Sequence, residues 1–172
     1  MWVRSEYAGE LAVISAWLTA LLPWSVTVIP EFANLVVIRF VFFRFQYLTA
    51  ATLPEEIARP FLWTFQMPGF HGSTLRPAAY LWLAGAVVVF VALAFSIVYY
   101  VYEARIEAMS FDPVRTMGGL ISLSAGIHTV SFALFLPHQR LTIPLGLVLM
   151  YVFAATLLKV ERTDGSGEAQ SS

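Results

Sequence analysis

The sequence predicts an all-α membrane protein: four transmembrane helices, with an aromatic-rich, β-hairpin-like extramembrane loop between the first and the second. Three observations carry this reading. Of 172 residues, 59% are hydrophobic and 12% charged, and the mean hydropathy is +0.74. A soluble globular domain is typically about 25% charged, so this chain has too little charge to coat a water-facing surface of its size. Four long stretches carry no charged residue at all: 11–30, 77–102, 116–139 and 141–158. Between the first two, segment 31–76 holds ten aromatic residues, which a solvated linker could not use.

Each span follows from length. A helix rises ~1.5 Å per residue and needs about 20 residues to cross ~30 Å of hydrocarbon. Residues 11–30, 77–102 and 116–137 meet this requirement, and 141–159 meets it when Lys159 snorkels toward the headgroups. Pro23 is expected to kink the first helix rather than end it, because in lipid no water competes for the freed carbonyl. No small-residue A-x-A site follows the first run, so a retained span is expected rather than a cleaved signal. Tyr99, Tyr100 and Tyr102 close the second run, where an interfacial aromatic belt belongs. The sequence PHQR at 137–140 reads as a tight turn that makes the last two helices an antiparallel hairpin. Glu103, Glu107 and Asp112 read as a solvated face between the second and third helices. The domain organisation is then one membrane unit, 1–160, and a polar Gly/Ser tail, 161–172, expected to be disordered.

The stretch VVIRFVFFRFQYL, 36–48, is the hardest to place. A helix over 33–48 reaches only ~24 Å and carries Arg39 and Arg44 near its middle, each costing roughly 2.5–3.5 kcal/mol at a bilayer centre. Five residues apart, the two arginines lie about 140° apart around a helix and on opposite faces of one strand. Composition favours strand, since Val, Ile, Phe and Tyr dominate. The expected form is an extended or hairpin-like segment at the membrane interface, with an interfacial or re-entrant helix and a fifth span as alternatives. Arg39 and Arg44 are candidate contacts for anionic lipid or for a partner's carboxylates. Equally, they serve only to hold the segment out of the hydrocarbon, or pair with Glu31, Glu55 or Glu56. Downstream, 52–55 (TLPE) matches a capping box, and Pro60 stops the short helix it would begin.

Chemistry has one candidate address, the third helix, in SLSAGIHTVSF. Ser124, His128 and Ser131 (i, i+4, i+7) fall on one helical face. An ionisable residue inside a membrane span is a functional hypothesis by default. The plainer alternative is a neutral imidazole hydrogen-bonded to a neighbouring helix, with Ser15 or Thr19 as partners. Gly118, Ser122 and Gly126 form a second stripe, a small-xxx-small packing face. No catalytic residue is assigned. There is no cysteine and no H-x-x-x-H or H-E-x-x-H pair, so neither thiolate chemistry nor zinc has a scaffold. No second histidine lies in the other spans to complete a haem site, and phosphate-binding glycine loops and nucleophile elbows are missing. No enzyme activity and no cofactor is therefore expected. The net charge of −1 argues against nucleic acid, which demands clustered cations.

The segments MWVRSEYAGELAVISAWLTALLPWSV, VIRFVFFRFQYL, RPFLW and AAYLWLAGA together resemble a family of small multi-spanning haloarchaeal membrane proteins with no assigned function. The resemblance covers most of the chain except the tail. It implies an archaeal plasma membrane and a helical bundle, and it carries over no catalytic residue.

Near the span ends, Arg4, Arg105, Arg115, Lys159 and Arg162 share one side, against Arg76 and Arg140 on the other. Arg39, Arg44 and Arg59 would level the count, but they lie in a long loop partly far from the spans and are set aside; the remaining bias puts both termini in the cytoplasm and the aromatic loop outside. The expected role is a structural or partner-binding membrane component. Beside the lipid bilayer, its expected contacts are a protein partner or a second copy, through the 31–76 loop or the Gly118–Ser122–Gly126 face. The alternative is an oligomeric transporter or proton-conducting element built on the His128 stripe.

Overall fold

The computed structural model describes residues 7–29, 35–47, 60–66, 70, 74–107, 111–138 and 141–160. The all-α expectation is overturned. Two apolar helices, α2 (Arg76–Val101) and α4 (Pro113–Phe135), are long enough to cross a membrane. Two others, α1 (Ala8–Leu21) and α5 (Leu145–Lys159), are shorter, at 14 and 15 residues. The rest of the first and fourth uncharged runs joins the aromatic segment in a five-stranded antiparallel sheet. Its strands are β1 (Ser25–Ile29), β2 (Leu35–Arg39), β3 (Phe43–Tyr47), β4 (Phe61–Trp63) and β5 (Leu141–Ile143), in the spatial order β4-β3-β2-β1-β5. A short helix, α3 (Glu103–Glu107), follows α2.

The boundaries have local causes. A proline disfavours helical backbone in the residue before it. Leu22, which precedes Pro23, is extended (φ −74°, ψ 145°), and α1 stops at Leu21. Pro23 thus ends the first helix rather than kinking it. The next residues, Ser-Val-Thr-Val-Ile, are mostly β-branched and pair with β2 on one side and β5 on the other. At the far end of the chain, β5 takes Leu141–Ile143 out of the fourth run, and α5 begins only after Pro144. The predicted tight turn at 137–140 therefore becomes a 3-10 turn at Leu136–His138 followed by a strand. Asp112 is the N-cap of α4. Its carboxylate accepts from the backbone N–H of Val114 (2.9 Å) and Arg115 (3.2 Å), and Pro113 occupies the first helical position.

The four longer helices pack together as a bundle. α4 lies between α2 and α5, and α1 packs on α2 with smaller contacts to α4 and α5. The buried face of α1 is mostly small, with Ala8, Ala12, Ala16 and Ala20, while that of α2 mixes Ala78, Ala79, Gly85 and Ala86 with Trp82 and Val89, and those of α4 and α5 include Met117, Ile121, Met150 and Leu157. Their outer faces carry large apolar side chains, among them Phe90 and Val91 on α2, Leu123 and Val130 on α4, and Val148 and Val152 on α5. Small residues at parts of the helix contacts and large apolar side chains facing outward suit helices packed in lipid.

The sheet meets the helices at one pole, where α1 and α4 end and α2 and α5 begin. β2 and β3 form a hairpin with Arg39 directly opposite Arg44. The two arginines therefore share a face, which corrects the expectation of opposite faces. Strand parity holds only along a single strand, and the turn between β2 and β3 resets it. That face is buried and mixed, with Leu35, Val37 and Leu62 beside a polar set. Ser25, Thr27, Arg39 and Gln46 lie on it, none more than 8% exposed, and the Thr27 and Thr142 hydroxyls are 2.9 Å apart. The opposite face is apolar and open. One row, Ile143–Val26–Ile38–Phe45–Phe61, crosses all five strands, flanked by Phe43 opposite Trp63. The capping-box motif at 52–55, His71 and the 161–172 tail lie outside the described residues.

Candidate functional site

The sheet and the helices meet around Trp24, the residue between Pro23 and β1. Its backbone N–H donates to the Arg39 carbonyl (2.6 Å) and its carbonyl accepts from Gly146 N–H (3.0 Å). One residue thus fixes the end of β2 and the start of α5. Gly146 is required there, because a Cβ at that position would stand 2.7 Å from Trp24 Cα. The Trp24 indole N–H donates to the Thr19 carbonyl (3.2 Å), which turns the ring toward α4.

Against that ring lies His128. The two ring centroids are 4.1 Å apart, tilted by 35°, and Trp82 of α2 meets the imidazole edge-on at 4.9 Å. The indole N–H of Trp82 donates to the Val41 carbonyl at the β2–β3 turn (3.2 Å), so α2 also holds the sheet. Gly85 of α2 provides the space beneath the imidazole, since a Cβ there would collide with the His128 ring.

The sequence-predicted face Ser124–His128–Ser131 is fully buried, and it packs on α2. Ser124 Oγ donates to the Gly85 carbonyl (3.0 Å) and Ser131 Oγ to the Ala78 carbonyl (2.7 Å). Between these two ties, His128 Nδ1 lies 2.9 Å from the carbonyl of Ser124 and 3.1 Å from its hydroxyl. A carbonyl can only accept, so Nδ1 carries the proton and Nε2 bears the lone pair. Nε2 is buried and has no hydrogen-bond partner among the described residues. The expected bond from His128 to Ser15 or Thr19 is not among those formed; the imidazole bonds its own helix and is held by two indoles.

The predicted glycine stripe does not act as one surface. Gly118 packs against α5, where an added Cβ would lie 2.9 Å from Leu157 Cβ. Gly126 has nothing within 4 Å of that position. With Ser122 it lines a shallow outer groove alongside Leu81, Leu123, Ile127 and Val130.

The two candidate arginines also meet this junction. The Arg39 guanidinium carbon lies 4.8 Å from the centre of the Phe135 ring and 6.0 Å from that of Trp82. Burial, and then repulsion from Arg44, lowers its pKa to about 10, and burial lowers that of Arg44 too. Arg39 still carries its charge at neutral pH, over two aromatic faces that favour a cation.

The family of unknown function DUF7549 matches residues 1–162, which contain every residue of this junction. The chain belongs to the DUF7549 family. No curated protein matches it. Among the described residues of this DUF7549 chain, no group of three or more His, Cys, Asp or Glu side chains is placed to hold a metal ion.

Sequence reasoning found His128 and missed its setting. Trp24, Trp82 and Gly85 carried a usable signal: two tryptophans and a glycine inside or beside uncharged runs, where the indole N–H must find an acceptor and a glycine must have a packing reason. The pairing among them depends on contacts far apart along the chain, which no local pattern reports.

Proposed function

We propose that this chain is a small membrane-embedded protein whose α2 and α4 cross the bilayer, with a structural or partner-binding role rather than a catalytic one. The observation that carries the reading is the pair of long apolar helices whose outer faces carry large apolar side chains, such as Phe90, Val91, Leu123 and Val130, instead of charge. At ~39 Å and ~34 Å, α2 and α4 each exceed the ~30 Å hydrocarbon thickness. Their ends away from the sheet carry Glu103, Arg105, Arg115 and, on α5, Lys159. With Arg39 and Arg44 set aside as part of the sheet, Arg105, Arg115 and Lys159 on that side, against Arg76 on the other, favour a cytoplasmic location for it and an outer location for the sheet. The resemblance to haloarchaeal membrane proteins supports the plasma membrane of an archaeon.

The packing of His128 argues for structure over transport. A relay needs a proton donor or a water file at the exchanging nitrogen. Here the ring is enclosed by two indoles, and it lines neither the groove at Gly126 and Leu123 nor that at Trp17 and Tyr100. Extraction in mild detergent followed by native mass spectrometry tests the proposal. A complex of fixed stoichiometry, with itself or with one partner, is the expected result. A monomer that conducts protons in liposomes, and loses that flux in a fully folded His128→Asn variant, would contradict it.

A further inference from the structure

The sheet presents its apolar face outward, and its position along the helices says what covers that face. Gly85 lies nine residues into α2 and His128 seven residues before the end of α4, which is ~13 and ~10 Å along their axes. Trp24 stacks on His128 and bonds Gly146, so α1 stops and α5 starts at that level. The strands β1 and β5 occupy the length that those two short helices leave free. A second anchor agrees: Trp82, six residues into α2, bonds Val41 at the β2–β3 turn. Centred in ~30 Å of hydrocarbon, α2 extends ~4–5 Å beyond it at each end. The edge of the sheet nearest the helices then lies below the headgroups, among the outer acyl chains. Five-residue strands, at ~3.3 Å per residue, reach up into the headgroup layer.

We propose that the outer face of the sheet is a lipid-binding surface, seated in the acyl-chain and headgroup boundary of the outer leaflet. This rests on the reading that α2 and α4 cross the membrane. The outward face is wholly apolar, as in a lipid-facing sheet, while the charged and polar side chains Arg39, Gln46, Ser25 and Thr27 all point inward beside Leu35, Val37 and Leu62. Phe43, Phe45, Phe61 and Trp63 form a continuous aromatic cluster with neighbouring centroids 5.1–6.4 Å apart. Aromatic belts occupy this depth. Phe45 is 44% and Trp63 45% exposed, and no charged side chain interrupts the described face. Both edge strands are only three residues long, which leaves few unpaired backbone groups to meet lipid.

The chain has no cysteine, so single cysteines can report depth directly. Phe45→Cys and Phe61→Cys sample the sheet face, Val91→Cys the outer face of α2, and Glu103→Cys the charged pole. Each carries an environment-sensitive fluorophore in vesicles of phosphatidylcholine with a minor fraction of phosphatidylglycerol. Quenchers are a lipid nitroxide near the headgroup, one deep in the chain, and aqueous iodide. Both sheet positions should be quenched several-fold more by the shallow nitroxide than by iodide, Val91→Cys by the deep nitroxide and Glu103→Cys by iodide. Iodide quenching alone at the sheet positions, with Val91→Cys still quenched by lipid, places the face in water and overturns the proposal. Shielding of the sheet positions from every quencher means that protein covers them, a second copy included, and overturns it too. If iodide also reaches Val91→Cys and lipid does not, the membrane reading itself fails and the proposal with it.

Discussion

The two faces of the sheet stand in opposite relation to solvent. On the inner face, Ser25, Thr27, Arg39 and Gln46 are buried, and the Arg39 guanidinium lies over the rings of Trp82 and Phe135. On the outer face, Phe45, Tyr47, Phe61 and Trp63 are open. In a water-soluble sheet the polar residues face out. The difference teaches that the inner face is held by apolar burial, with Leu35, Val37 and Leu62, together with specific polar and ring contacts, and the outer face by whatever medium surrounds it. Substitutions should therefore separate the two sharply.

The largest difference is expected between two tryptophans. Trp82→Ala removes a buried ring that meets His128, Trp24 and Phe135 and bonds the Val41 carbonyl. It should cost about 3–5 kcal/mol. Trp63→Ala, on the outer face, should stay within about 0.5 kcal/mol in detergent. Thermal unfolding of the two variants in one detergent measures both, and equal losses would break the comparison.

A smaller difference is expected between two glycines. Gly85→Ala drives a methyl group into the His128 ring, and overpacking of this kind typically costs 1–3 kcal/mol. Gly126→Ala meets open space and should be neutral or gain up to ~1 kcal/mol from helix propensity. The same melting experiment reads both. A costly Gly126→Ala would restore the small-residue stripe as a single packing surface.

These contrasts also show what the sequence could and could not disclose. Charge-free runs located the apolar helices, because burial of apolar side chains leaves a local signature, but only α2 and α4 have the length of the four expected spans; α1 and α5 fall short of it. The spacing of Ser124, His128 and Ser131 put them on one buried face for the same reason. The runs did not disclose where helix gives way to strand. Val26 pairs with Ile143 and Thr27 with Thr142, more than a hundred residues away, and apolar β-branched residues suit a membrane helix and a strand alike. Pro23 was legible as a helix breaker, but an expected lipid setting argued for a kink. Arg39 and Arg44 were judged on the parity of one strand, and the turn at Val41 and Phe42 made them cross-strand neighbours. The indole cage around His128 joins residues 24, 82 and 128, and is visible only once the fold exists.

His128 itself should give a modest effect. His128→Leu loses a stacked aromatic contact and the bond from Nδ1, but removes a buried lone pair that has no partner among the described residues. Membrane hydrogen bonds average ~0.6 kcal/mol and reach ~1.7, so a loss of about 1 kcal/mol is expected. Proton leak across reconstituted vesicles should be the same for wild type and variant. A leak that disappears in the variant would move His128 from packing to transport.

The central claim, that α2 crosses a bilayer and separates the sheet from the charged pole, is tested most directly by sidedness. Gln66 follows β4, Glu103 follows α2, and both are exposed. Single-cysteine variants Gln66→Cys and Glu103→Cys are treated with a membrane-impermeant maleimide, first in intact cells and then after lysis. The account expects Gln66→Cys to label in intact cells and Glu103→Cys to label only after lysis. Labelling of both positions before lysis, or of both only after it, would place them on one side and contradict the claim.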